Sequence, residues 1–106
     1  MQEQPTISTH VLDTEHGTPA SGIDIALYRM DETGEQRVGA GRTDEDGRIR
    51  RLLDSDLVAG TYRIEFHVDA GFFLDAAVTF RVEDTSRSYH VPLLMAPYSL
   101  ATYRGS

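Results

Sequence analysis

Apolar and polar residues alternate along most of this chain with a period of two. The clearest run covers residues 61–68, where every second residue is apolar. These apolar positions are Tyr62, Ile64, Phe66 and Val68. A period of two is typical of a β-strand with one face on a core and the other in solvent. We therefore interpret residues 61–68 as a half-buried strand.

Seven other segments show similar patterns and are also interpreted as strands. They are residues 6–13, 23–28, 36–43, 47–53, 77–83, 88–95 and 98–104. Turn-forming Gly, Pro and Asp residues separate them, at 16–19, 31–34, 44–47 and 59–60. A helical turn is expected only at 53–58, with Asp54 or Ser55 as its cap. About eight short strands with little or no helix predict an all-β antiparallel sandwich, a single domain spanning residues 1–106.

Composition excludes several classes of partner. The chain has 106 residues and a net charge of −7, whereas nucleic-acid binding depends on basic residues that neutralise phosphates. No apolar run approaches the roughly 20 residues that a membrane-spanning helix needs. We therefore expect neither a nucleic-acid nor a membrane partner.

Two residue types are missing altogether. The chain contains no cysteine, which excludes disulfides, thiolate nucleophiles and cysteine-ligated zinc. It also has no lysine, since all ten basic residues are arginine, so a lysine Schiff base is excluded. Residues 1–5 lack the basic start and apolar block of a signal peptide, and we expect a cytoplasmic location.

Four polar residues occupy unusual positions. His10 and His90 lie inside predicted strands, Arg48 follows a turn, and Tyr103 lies near the end of the last strand. His10 shares a strand face with Ser8 and is turned away from the apolar neighbours on the other face. Taken singly, each is more often a surface group or a hydrogen-bonded core residue than a catalytic one. His16 and His67 are expected to be exposed.

As a set, these residues suggest acid–base chemistry. Two imidazoles can carry a proton near neutral pH, and a guanidinium can stabilise an anionic substrate or a developing oxyanion. Zinc would need a third ligand, and Arg48 would repel it. The segment 44–47 resembles a calcium loop only faintly, because it lacks the glutamate at the twelfth position, so a hairpin turn is preferred.

Three longer motifs resemble those of a known family, the transthyretin-like 5-hydroxyisourate hydrolases. The motifs are STHVLDT at 8–14 with GTPA at 17–20, TDEDGR at 43–48, and YHVPLL at 89–94 with PY at 97–98 and YRGS at 103–106. They extend from residue 8 to the last residue, so the resemblance covers nearly the whole chain.

The resemblance implies a fold, an assembly and a reaction. The fold is a transthyretin-like sandwich, assembled into a homotetramer (a dimer of dimers) with active sites in the channel where the dimers meet. The reaction opens the ring of 5-hydroxyisourate by hydrolysis, yielding 2-oxo-4-hydroxy-4-carboxy-5-ureidoimidazoline in urate breakdown. No metal or organic cofactor is expected.

The resemblance also suggests individual roles. His10 and His90 share the general-base function, and Arg48 stabilises charge in the transition state. His10 and Arg48 contact the substrate, Tyr103 positions the ring, and Ser106 orients a histidine or the water through its terminal carboxylate. His10, Arg48 and His90 are thus the catalytic set.

Two alternatives stay open. The first is a non-catalytic small-molecule carrier like transthyretin, which lacks counterparts of both histidines and of the YRGS ending. The second is a purely structural sandwich, which would not explain the two histidines. Two departures from the hydrolase pattern bear on this choice: residues 69–76 are too short for the family's helix and aromatic stretch, and residues 96–101 are altered.

Overall fold

A computed structural model describes residues 4–105, which form ten strands in two sheets. The strands are β1 (Ile7–Asp13), β2 (Thr18–Pro19), β3 (Asp24–Asp31), β4 (Gly34–Arg42), β5 (Arg48–Ile49), β6 (Gly60–His67), β7 (Ala76–Val82), β8 (Tyr89–His90), β9 (Leu93–Ala96) and β10 (Ser99–Thr102). No helix occurs in this part of the chain, and hence none that is long and apolar enough to cross a membrane. The all-β prediction is confirmed.

The two sheets differ in regularity. One has the order β4-β3-β6-β7, and all its pairs are antiparallel. The other has the order β10-β9-β1-β2, and β5 and β8 also pair with β1. β1 runs parallel to β8 and β9 and antiparallel to β2 and β5. β1 is therefore the strand on which the second sheet is assembled.

The core lies between the sheets and follows the alternation in the sequence. In β6, Tyr62, Ile64 and Phe66 are fully buried, and Val68 continues the pattern beyond the strand. From the other sheet come Ile7, Val11 and Leu93. Because β1 buries one face only, its opposite face is available for a site.

Several predicted boundaries are wrong. Of the predicted strand 47–53, only Arg48–Ile49 pairs, and residues 53–58 form no helical turn. The predicted strand 88–95 divides into β8 and β9 at Val91-Pro92, where proline cannot donate a ladder hydrogen bond. The turn at 44–47 is not a hairpin, because β4 and β5 belong to different sheets. It connects one layer of the sandwich to the other.

The shortened segment between β6 and β7 forms a tight turn without a helix. Gly71 has φ +85°, and a Cβ there would lie 2.5 Å from the carbonyl oxygen of Pro97. The Phe72 N–H donates to that oxygen at 2.8 Å. Phe72 and Leu74 remain exposed. The two departures noted in the sequence, residues 69–76 and 96–101, are therefore in direct contact.

Candidate active site

The two faces of β1 have different roles. Ile7, Thr9 and Val11 point into the core, and the first and last of these are fully buried. Ser8 and His10 lie on the opposite, half-buried face. This arrangement agrees with the sequence pattern and places an imidazole on the outer face of the sandwich.

Neighbouring strands bring Arg48 and His90 to the same face. Arg48 is the register partner of His10 across the antiparallel pair of β1 and β5. His90 is the register partner of Ser8 across the parallel pair of β1 and β8. Directly opposed residues of a sheet project to one side, as do alternate residues of one strand. His10, Arg48 and His90 therefore converge, although they are distant in sequence.

The turn before β5 determines where Arg48 lies. The Asp44 carboxylate accepts the backbone N–H groups of Asp46 at 2.9 Å and of Arg48 at 3.0 Å. Gly47 has φ +74°, and a Cβ there would lie 2.5 Å from the Val11 carbonyl oxygen. Its own carbonyl accepts the Val11 N–H at 2.8 Å. The DEDG sequence thus holds the turn against β1 and directs Arg48 towards His10.

Hydrogen bonds on both sides of His90 hold its backbone beside β1. The Tyr89 N–H donates to Thr6 at 2.9 Å and the Val91 N–H donates to Ser8 at 3.0 Å. The buried Thr9 hydroxyl donates to the Val91 carbonyl at 2.7 Å. This short strand therefore keeps its position despite the proline that follows.

Ser8 is a site residue that the sequence analysis did not assign. Its Oγ lies 2.8 Å from Nδ1 of His90. When Nδ1 carries the proton and donates it to Ser8, Nε2 keeps its lone pair and can accept a proton from water. The available signal was the position of Ser8 in the sequence. It lies two residues before His10, and alternate residues of a strand share one face.

The surroundings of His90 favour its neutral form. Burial is the main cause that lowers the pKa of His90 below its usual 6.5, and the positive charges of Arg48 and His10 lower it further. A neutral imidazole at physiological pH is the form that a general base requires.

Gly105, near the end of the last segment, contacts both the backbone and the ring of His90. The Gly105 N–H donates to the His90 carbonyl at 2.8 Å, which forms an isolated bridge between these residues. A Cβ at position 105 would lie 2.5 Å from Cδ2 of the His90 ring, closer than real Cβ atoms come. Only glycine fits here without displacing the ring. Ser106 lies outside the described residues.

Tyr103 and Arg104 lie on the other side of His90 from Arg48. Tyr103 is 56% exposed and lines a mainly apolar cleft with Phe80 and Val91. The Arg104 guanidinium stacks 4.7 Å from the ring centroid of Tyr89. The structure therefore brings Tyr103 near His90, but it does not place Tyr103 in the cleft that Arg48 lines.

The cleft that Arg48 lines is polar and has a volume of about 380 Å³. Its lining combines three arginines, His90 and four hydroxyl residues: Arg48, Arg50, Arg51, His90, Thr6, Ser8, Thr9 and Ser88. Small-molecule sites typically have volumes of about 300–1,000 Å³. The cleft can therefore hold a small anionic ring beside His90.

The remaining histidines do not belong to this site. His16 and His67 are exposed, as expected, and contact the carboxylates of Asp13 and Asp75 respectively. Residues 4–105 contain no group of three or more His, Asp or Glu side chains able to hold a metal ion.

Comparison with known proteins identifies the same family as the motifs. A profile of the HIUase/Transthyretin family matches residues 7–105. The 5-hydroxyisourate hydrolase of Deinococcus radiodurans is 43% identical over an alignment that covers both chains completely. The chain also resembles the structure of Klebsiella pneumoniae 5-hydroxyisourate hydrolase, with 31% identity and a TM-score of 0.85 over 96% of this chain and 99% of the other.

Transthyretin itself has the same fold. Sea bream transthyretin in complex with thyroxine matches with a TM-score of 0.86 and 27% identity, over 93% of each chain. The fold similarity is therefore equal for the enzyme and the carrier, and the site residues must separate the two. On sequence, fold and motifs together, this chain belongs to the HIUase/Transthyretin family.

Proposed function

We propose that this chain hydrolyses 5-hydroxyisourate to 2-oxo-4-hydroxy-4-carboxy-5-ureidoimidazoline in urate breakdown. The observation that carries the proposal is the convergence of His10, Arg48 and His90 on one face of β1. Arg48 and His90 line a cleft with space for the ring, in which Arg48 supplies positive charge, and His10 is the register partner of Arg48. The relatives named 5-hydroxyisourate hydrolase support the same substrate.

The histidines act as the base. His10 and His90 share the task of taking a proton from a water aimed at the ring carbonyl, and the neutral state of His90 suits it to that task. Arg48 binds the anionic edge of the ring and stabilises the negative charge that develops on the carbonyl oxygen. The C–N bond of the ring then breaks, and the nitrogen receives the proton.

Three residues support this set. Ser8 is a positioning residue that orients His90 through the 2.8 Å contact with Nδ1. Tyr103 contacts the substrate from the His90 side of the site. Ser106 orients a histidine or the water, a role suggested by its place directly after Gly105, which bridges to His90.

The assembly we propose is a homotetramer in the cytoplasm, with the active sites at a subunit interface and one domain per chain. Among the described strands, β7 and β10 are edge strands of their sheets. Both contribute residues to the same two surface clefts, so they lie along one margin of the sandwich. Exposed strand edges are templates for pairing with another chain.

The carrier function is the alternative that the fold similarity to transthyretin favours. A carrier needs no proton acceptor and no arginine in register with a histidine. It would bind 5-hydroxyisourate or another small molecule without changing its rate of decay.

Ultraviolet absorbance of freshly made 5-hydroxyisourate separates the two functions. The wild-type protein should accelerate the decay of the substrate signal well beyond the spontaneous rate, whereas a carrier would leave that rate unchanged. His10→Ala and Arg48→Ala should each lower the catalysed rate at least about a hundredfold. Arg37→Ala, an exposed arginine of β4, serves as the matched control. Near-wild-type rates in either site variant would remove that residue from the mechanism.

A further inference from the structure

The polar cleft extends beyond the catalytic residues, over the start of β1. The Leu52 N–H donates to the Ile7 carbonyl and the Tyr89 N–H donates to the Thr6 carbonyl, each at 2.9 Å. Residues 50–52 and 88–89 therefore flank residues 6–7 on opposite sides. Arg50 and Arg51 directly follow β5, and both line the same cleft as Ser8.

Positive charge is concentrated in this extension. Arg48, Arg50 and Arg51 all line the cleft, and the described residues offer none of them an ion pair. By contrast, Arg63 on the other sheet pairs with two glutamates. This cluster is unusual in a chain whose net charge is −7.

Asp44 offsets part of this charge, but within residues 4–105 it forms no ion pair with any of the three arginines. The backbone N–H of Arg48 lowers the pKa of the Asp44 carboxyl, and the charges of Arg50 and Arg48 add to this effect. One oxygen of that carboxylate is already used by two backbone N–H groups. Arg51 donates to the Gln4 carbonyl at 2.6 Å through one nitrogen only, so the rest of its guanidinium can bind another acceptor.

Two hydroxyls complete the lining. Thr6 is 5% exposed, and its Oγ1 has no hydrogen-bond partner within residues 4–105. Buried polar groups in proteins are nearly always partnered, so an orphan hydroxyl beside a cleft marks a place for a ligand acceptor. Ser88 accepts the Thr6 N–H at 2.9 Å, which leaves its own hydroxyl proton for donation.

We propose that Arg50 and Arg51, with the hydroxyls of Thr6 and Ser88, form a second anion subsite for the carboxylate that ring opening creates. The inference rests on the proposed function. Water adds its oxygen to the ring carbonyl carbon, the C–N bond breaks, the nitrogen gains a proton, and the new carboxylic acid loses its proton to solvent. The product therefore carries a localised carboxylate that the substrate lacks, and a paired arginine site recognises such a group.

The consequence is product retention. The carboxylate forms at the carbonyl carbon beside Arg48. Breaking the C–N bond frees it from the ring, so it can turn towards Arg50 and Arg51, which line the same cleft. Loss of Arg50 and Arg51 should weaken product binding and leave the chemical step nearly intact, because the carboxylate reaches them only after the C–N bond has broken, and Arg48 alone is in register with His10.

Binding can be tested without turnover. The ten arginines give the only basic side-chain signals apart from histidine, so their Nε–H resonances can be followed by NMR during titration with inorganic phosphate. The Arg50 and Arg51 signals, assigned by their loss in Arg50→Gln and Arg51→Gln, should shift and saturate. A uniform drift of all arginine signals, or a response of Arg48 alone, would overturn the subsite.

Product inhibition tests the carboxylate assignment. A second portion of substrate is added as soon as the first is consumed, and the two initial rates are compared. In the double variant Arg50→Gln/Arg51→Gln, inhibition by product should be at least about fivefold weaker than in the wild type. The initial rate with the first portion of substrate should stay within about threefold of the wild-type rate. Arg37→Gln is the control for net charge. Equal product inhibition in the double variant and the wild type would contradict the proposal.

The activity of the wild type and the product inhibition of the double variant together distinguish failure of the subsite from failure of the proposed function. An active wild-type enzyme with unchanged product inhibition in the double variant refutes the subsite alone. A wild-type protein that does not accelerate substrate decay refutes the proposed function, and the product-retention role with it. The phosphate titration then still shows whether the arginines form an anion site.

Discussion

At the scale of single residues, the site depends on how β1 and its neighbours surround His90. Its ring is half-buried, contacts Ser8, and shares a sheet face with His10 and Arg48. The sequence identified His10, Arg48 and His90 because they lie within motifs. Ser8 lies in the same motif as His10, but its role could not be assigned, since the contact with His90 depends on which strand lies opposite.

The first prediction concerns the titration of His90. Its pKa, followed by NMR of the ring C–H signals, should lie below 6.5 in the wild type. Arg48→Gln should raise it only in part, because burial, the larger cause, remains. Since the pKa is lower in the folded than in the unfolded protein, His90 lowers stability progressively as pH falls below about 6.5. A wild-type His90 that titrates at or above 6.5 would contradict this account.

The second prediction concerns Ser8. Ser8→Ala removes the acceptor for Nδ1–H, which should lower kcat roughly fivefold, the value of a hydrogen bond worth about 1 kcal/mol. KM should change little, and the acid limb of the pH profile should move to lower pH, because the imidazolium loses a stabilising acceptor. Ser8→Thr should restore both kcat and the profile. An Ala variant with the wild-type kcat and profile would show that Ser8 has no such role.

At the scale of elements, the site combines the seven-residue strand β1 with the two-residue strands β5 and β8. β5 and β8 are too short for a periodic pattern, so the sequence indicated longer strands at 47–53 and 88–95 that the structure does not contain. The long strands β6 and β7 were predictable because burial alternates along each of them. The turn at 44–47 joins two sheets, which local turn chemistry cannot distinguish from a hairpin.

The third prediction concerns the C-terminal segment. Gly105→Ala would set a Cβ 2.5 Å from the His90 ring, so the ring must move. A displacement of about 1 Å can lower the rate about a hundredfold, and we expect a loss of at least about tenfold in kcat. The melting temperature should change little, because the segment lies at the surface. Ala40→Ser, at an exposed position of β4, is the control. Full activity of Gly105→Ala would show that the chain end does not constrain His90.

At the scale of the whole molecule, fold and family were predictable and assembly was not. Two half-buried sheets follow from the alternation of residues, and the family profile matches residues 7–105, a range that contains all the motifs except the last residue of YRGS. Assembly, by contrast, was not predictable, because edge strands pair through backbone N–H and C=O groups that do not depend on the side-chain sequence. The exposed Phe72, Leu74 and Tyr98 lie on the shortened hairpin and on the turn that follows β9.

The fourth prediction concerns oligomeric state. The molar mass measured by light scattering should be four times the 11.8 kDa of one chain, about 47 kDa. If the active sites lie at the interface, activity per chain should fall on dilution as the mass falls. A fully active species of 11.8 kDa would contradict a site shared between subunits.

The central claim is that three residues distant in sequence act on one substrate as a unit. The most direct test is the rate of 5-hydroxyisourate decay with His10→Ala, Arg48→Gln and the double variant. Residues that act as a unit are strongly non-additive, so the double variant should be about as slow as the slower single variant. If the fold-reduction in rate of the double variant equals the product of the two single reductions, His10 and Arg48 act independently. That result would contradict the account.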